Sequence, residues 1–236
     1  MKPLVTPPGS PILRSMSFTR QYALRDQALT RDQTRGVFGQ VMGLVALTVG
    51  CTALGAYITR NATGGTGILF FFAAFACIFG LQFANARGRE QLAIGLLFGL
   101  GLFIGMAVGP VLAYYAKAEP NVLYQAAGAT ALLTAGLGAF GYATRRDLSS
   151  WARTLFWALV ALIVFGLITL FVAIPGANVI YAVLGLVVFG GFTVFDFNRL
   201  RRTTMGGSVP IAASIFLDVF NVFLFFLSLF GGGSRR

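Results

Sequence analysis

Two aspartates stand inside apolar runs of this 236-residue chain: Asp196 in VFGGFTVFDFNRLRRTT and Asp218 in SVPIAASIFLDVFNVFLFFLSLF. The second run has about twenty mostly apolar residues, enough to cross a hydrocarbon core roughly 30 Å thick as a helix. An aspartate near the middle of such a helix costs on the order of 3 kcal/mol to insert, so its side chain faces protein or a water-filled cavity. If the helix carrying Asp196 continues to Arg202 before the turn over Thr203–Ser208, Asp196 lies about six residues from its end, and Asp218 about eight past Pro210. At 1.5 Å per residue these depths agree within about 3 Å, so antiparallel neighbours would bring the carboxylates together. Two carboxylates at close range in a low dielectric cannot both ionise cheaply, and such a pair tends to share a proton. The chemistry implied is a proton switch or a cation site. The plainer alternative is that each acid separately satisfies a backbone amide or pairs with an arginine. Asn221 and Asn198 are the neighbouring polar side chains.

The elements that must position this pair are membrane spans. The chain is 57% hydrophobic and 11% charged, against roughly 25% charged residues in a soluble domain. Window reading predicts seven spans at about 36–59, 67–84, 91–115, 122–143, 151–173, 177–197 and 209–230. The fold class expected is an all-α integral membrane protein of seven transmembrane helices. The last is apolar almost all round except for Asp218, Asn221 and a few small residues, which predicts a central helix surrounded by the other six. The domains expected are a basic cytosolic N-terminal tail over 1–35, a seven-helix membrane domain over 36–230 and a short C-terminal tail over 231–236. The piece from Arg20 to Arg35 reads equally as a short surface helix or as a disordered tail.

Arginines fall after the second, fourth and sixth spans (Arg87 and Arg89, Arg145 and Arg146, Arg199, Arg201 and Arg202), while the other loops are poorer in them. This alternation puts the N-terminus inside and the C-terminus outside; a re-entrant last segment, favoured weakly by Arg235 and Arg236, would keep both inside. The net charge of +11 is accounted for by these loops and calls for no nucleic-acid partner. The row Gly101, Gly105 and Gly109 reads as close helix packing, and Pro110 as a kink or a terminus.

The chain has no histidine, which removes haem ligation, His-based metal sites, Ser-His hydrolysis and histidine pH sensing. Its lysines, Lys2 and Lys117, stand outside the middle of any span, so no retinal Schiff base can form. Cys51 and Cys77 lie inside apolar segments at no metal-ligand spacing and read as small packing residues. No cofactor is expected.

Three motifs in order, TRRDLSSW between the fourth and fifth spans, VFDFNRL in the sixth and ASIFLDVFNVFLFFLSLF in the last, resemble the Bax inhibitor-1 family, and specifically its bacterial members. The resemblance covers the chain from about residue 30 onward. It implies six helices wrapped around the last one, a bacterial inner-membrane location, and a pH-sensitive calcium leak in which Asp196 and Asp218 correspond to the family's aspartate pair. It also implies an arginine near the cytosolic end of the second helix that latches onto Asp196. This sequence departs there: it reads ANARGREQ, with Gly88 at the matching position and the candidate gating arginines Arg87 and Arg89 on either side.

Three functions compete. The first is a calcium-permeable leak channel or transporter gated by protonation of the pair, with protons, transient Ca2+ and the lipid bilayer as partners. Asp196 and Asp218 alone supply too few oxygens for tight binding, so a weak Ca2+ site and transit are expected. The second is a regulator of other membrane proteins, such as a quality-control protease, with no transport of its own. The third, an intramembrane aspartyl protease, fits least: Ile215, Phe216 and Leu217 stand where a Gly-x-Gly pattern would precede Asp218, so no enzyme is expected.

Overall fold

The computed structural model describes residues 11–62, 65–172 and 174–232, with side chains from Arg35 onward. The remainder of the two expected tails, residues 1–10 and 233–236, lies outside the described residues. Seven helices follow one another: α1 (Pro11–Ile58), α2 (Thr66–Ala86), α3 (Glu90–Ala118), α4 (Pro120–Ala143), α5 (Trp151–Phe171), α6 (Ala177–Leu200) and α7 (Ser208–Gly231), with a single 3₁₀ turn over Met205–Gly207 before the last. Each contains a stretch long and apolar enough to cross a membrane, that of α1 being Arg35–Ile58. Among the described residues there is no strand. The protein is an all-α, seven-helix integral membrane protein.

Lipid is the solvent that this surface requires. Phe71, Phe72, Phe75, Phe79 and Phe83 are exposed on α2, and Phe156, Ile163 and Phe171 on α5. In water such a surface would aggregate; in a bilayer it is the ordinary exterior. With alternating directions, one end of the bundle gathers Arg35, Arg87, Arg89, Arg145, Arg146, Arg199, Arg201 and Arg202. The other end carries Arg60 and Lys117.

α7 is the most enclosed element, with twelve buried residues against two on α5. It packs against α1, α2, α3, α4 and α6, while α5 packs mainly on α6 and reaches α7 where Leu162, Ala182 and Phe225 share a core cluster. The main core joins Val41, Leu81, Leu97, Leu100, Leu200, Ile211, Ile215 and Phe216, contributed by five helices.

α1 and α3 approach most closely through the glycine row. A Cβ on Gly101 would stand 2.6 Å from the Thr48 carbonyl, and one on Gly105 would run into the Thr52 carbonyl. Pro110 does not end α3; the helix runs on to Ala118. Proline has no N–H to give the carbonyl four residues back, and the Thr59 hydroxyl, just past the end of α1, reaches that Met106 carbonyl at 2.9 Å. The proline's cost is thereby partly offset by a bond from outside α3. α6 ends two residues before the Arg202 expected from sequence. Arg202 and Thr203 turn back through short bonds to the Arg199 and Leu200 carbonyls, and the Arg202 guanidinium is drawn to Asp147 at 2.6 Å.

Candidate functional site

Asp196, four residues before the end of α6, and Asp218, in the middle of α7, are both buried, at 4% and 5% exposure. Their carboxyl groups meet side chain to side chain, and the Ser214 hydroxyl, one turn before Asp218 on α7, is turned to Asp196 as well. Asp196 is therefore held opposite one turn of α7, between a hydroxyl and a second acid. The Oδ2 atom of Asp218 is buried with no hydrogen-bond partner. Such an oxygen is costly in a low dielectric unless a proton or a cation serves it. Among the described residues no third His, Cys, Asp or Glu joins the pair.

The charge nearest in effect on Asp196 is Arg199, three residues on along the same helix and exposed at the arginine-rich end. Arg87 and Arg89 are exposed, and the Arg87 guanidinium lies over the Phe83 ring at 3.8 Å. Among the described residues the one ion pair joins Arg202 to Asp147, so the structure holds the two candidate arginines away from the carboxyl pair.

Gly88 between them has a structural reason. It closes α2 with φ +67, its N–H reaching the Asn85 carbonyl at 3.0 Å and the Arg89 N–H reaching the Ala84 carbonyl at 2.9 Å. This is the Schellman termination, in which the left-handed position favours glycine. An arginine at 88 would be strained, and guanidinium groups stand on either side instead.

The two asparagines do different work from the acids. Asn198 is buried and acts as a clamp: its amide reaches the carbonyls of Gly141 (3.2 Å), Thr144 (2.8 Å) and Arg146 (3.2 Å), and its oxygen accepts from the Leu148 N–H at 3.4 Å. It binds α6 to the segment that leaves α4, two residues from Asp196. Asn221 returns its amide to the Leu217 carbonyl of its own helix at 2.7 Å. Ser214 was not singled out from sequence; its signal is a hydroxyl four residues before Asp218, on the same face of the helix. A cavity of about 1130 Å³ lies elsewhere, between α1 and α4, and neither aspartate lines it.

A family model described as Inhibitor of apoptosis-promoting Bax1 matches residues 34–235. An uncharacterised membrane protein of Vibrio cholerae is 30% identical over 213 residues, spanning 88% of this chain and 94% of that protein. An uncharacterised Helicobacter pylori protein is 29% identical over 169 residues, 71% of this chain and 73% of that one. One from Deinococcus radiodurans is 26% identical over 231 residues, 92% and 97% of the two chains.

Proposed function

Because the chain belongs to the Bax inhibitor-1 family, we propose that it is a calcium-permeable leak channel or transporter whose gate is the protonation state of the Asp196–Asp218 pair. One observation carries this reading: two buried carboxyls meet inside the bundle and one of their oxygens has no partner. That arrangement suits a group that exchanges protons or passes a cation better than it suits structural glue, which would leave no oxygen unserved.

Two carboxyls and the Ser214 hydroxyl are hard oxygen donors, which suit Ca2+, yet they fall well short of the six to eight ligands that hold this ion tightly. Weak binding favours transit. When Asp196 is ionised, Arg87 or Arg89 leaves its exposed position and pairs with it, holding the end of α2 across the pathway. Acidification supplies the second proton, cancels the attraction and releases α2, so that flux rises as pH falls. The arginine-rich end faces the cytoplasm, which sets the N-terminus inside and the C-terminus outside, in a bacterial inner membrane. No enzymatic step and no resident cofactor belong to this reading.

Calcium entry into vesicles containing the purified protein and no partner tests it. Native protein is expected to carry flux, and Asp218→Asn to reduce it by lowering cation occupancy. Silence of the native protein at every pH would overturn the reading and leave a regulator that acts through other membrane proteins.

A further inference from the structure

α1 and α4 touch at the arginine-rich end, where Phe38 and Tyr142 meet edge to face with centroids 5.1 Å apart. Away from this bridge the two helices part, and the space between them is the cavity of about 1130 Å³, lined from Arg35 to Ala53 on α1 and from Ala127 to Ala143 on α4. Its floor is α7, through Phe216, Val219, Phe220 and Phe223. At about 100° per residue, the three phenylalanines point roughly 140–160° away from Asp218. The groove is therefore a separate feature on the opposite face of the carboxylate-bearing helix.

The walls are apolar by construction. Thr52 and Thr130 spend their hydroxyls on the Thr48 and Ala126 carbonyls, while the Thr134 hydroxyl is buried without a hydrogen-bond partner. α4 contributes the exposed small residues Ala131, Ala135 and Ala139. A groove of this kind in a bilayer is filled by apolar matter. Eighteen helical rises make it about 27 Å long. At the mouth stand the exposed Arg35 guanidinium and the Tyr142 ring, the cation and the aromatic amphiphile that meet lipid headgroups at an interface.

We propose that the groove between α1 and α4 seats the acyl chain of an anionic phospholipid, with its phosphate on Arg35 and its tail along Phe216, Phe220 and Phe223 of α7. The lipid then serves as the wall that the protein lacks between these helices.

Native mass spectrometry of the full chain extracted from vesicles of equal phosphatidylglycerol and phosphatidylcholine tests this. The native protein is expected to retain one phospholipid, with phosphatidylglycerol favoured about fivefold. Arg35→Gln, an exposed substitution, should retain a lipid and lose the preference. Ala131→Trp with Ala135→Trp should lose the lipid by filling the groove; if that variant does not fold, Arg35→Gln decides alone. An unchanged preference in Arg35→Gln, or equal lipid retention by a folded tryptophan variant, would overturn the proposal. So would disulfide cross-linking of two Ala135→Cys chains in place of a retained lipid, since it would put a protein helix in the groove.

Discussion

The Asn198 amide on α6 reaches the Thr144 carbonyl, just past the end of α4, at 2.8 Å. With the Gly141 and Arg146 carbonyls held by the same nitrogen, this contact sets how far α6 can turn or slide beside α4, and so where Asp196 faces α7. Asn198→Leu leaves the buried Gly141 carbonyl and the Leu148 N–H without their partner, while the Thr144 and Arg146 carbonyls keep the Arg201 and Arg202 guanidinium groups. Each unserved group costs about 1–3 kcal/mol, so unfolding followed in detergent should show a loss of about 2 kcal/mol or more. An unchanged unfolding midpoint would mean that the clamp does not hold α6.

The exposed Asp147 gives the opposite kind of prediction. Its carboxyl is held below the usual carboxylate range, first by the Ser149 hydroxyl, then by the Ser149 N–H, with Arg202 adding its charge. A folded value lowered in this way contributes stability that is present above the ordinary value of 3.8 and is lost as pH falls further, through the folded value. Asp147 therefore stays ionised throughout the mildly acidic and neutral range. Asp147→Asn should leave the pH profile of calcium flux between about pH 5 and 8 where it is in the native protein; a displaced profile would put Asp147 in the gate.

Close packing of α1 on α3 allows no methyl at Gly105, where a Cβ would run into the Thr52 carbonyl. Backbone cannot yield as a side-chain tip can. Gly105→Ala should cost about 1–3 kcal/mol, whereas Gly95→Ala on the same helix, with no heavy atom within 4 Å of the added carbon, should be tolerated. Equal unfolding midpoints for the two variants would refute the close approach.

In the structure Arg87 lies on Phe83 and Arg89 is exposed, so closing the latch requires one of them to move. Replacing both by glutamine should raise calcium leak at neutral pH towards its acidic level. If the double variant keeps the native pH response, the latch does not operate in this chain, and Arg199 is the charge left to bias Asp196.

The spans were legible because twenty apolar residues in a row have few readings, and the glycine row because Gly101, Gly105 and Gly109 share one helix face. The meeting of Asp196 and Asp218 could be anticipated because both acids needed company that lipid cannot supply; the count of rises did not carry it, since α6 ends at Leu200 and α7 begins at Ser208, four and ten residues from the two acids. The clamp was not legible: Asn198 is as polar as a site residue, and only the fold shows that carbonyls beyond α4 surround it. Nor was the lipid-facing place of α5, with only two buried residues, since its apolar sequence looks the same against lipid as against protein. The groove between α1 and α4 was hidden for that reason too, because alanines that face a gap and alanines that face a helix are written alike.

Calcium flux into vesicles, measured against pH for the native protein and for Asp196→Asn, tests the central claim most directly. The account predicts that native flux rises as the medium is acidified and falls again at very low pH, where protonation also weakens cation binding. It predicts that Asp196→Asn, with one charge of the pair removed for good, leaks at neutral pH at about the native acidic level and responds little to pH. A variant that keeps the native pH dependence, or a native protein whose flux ignores pH, would contradict it.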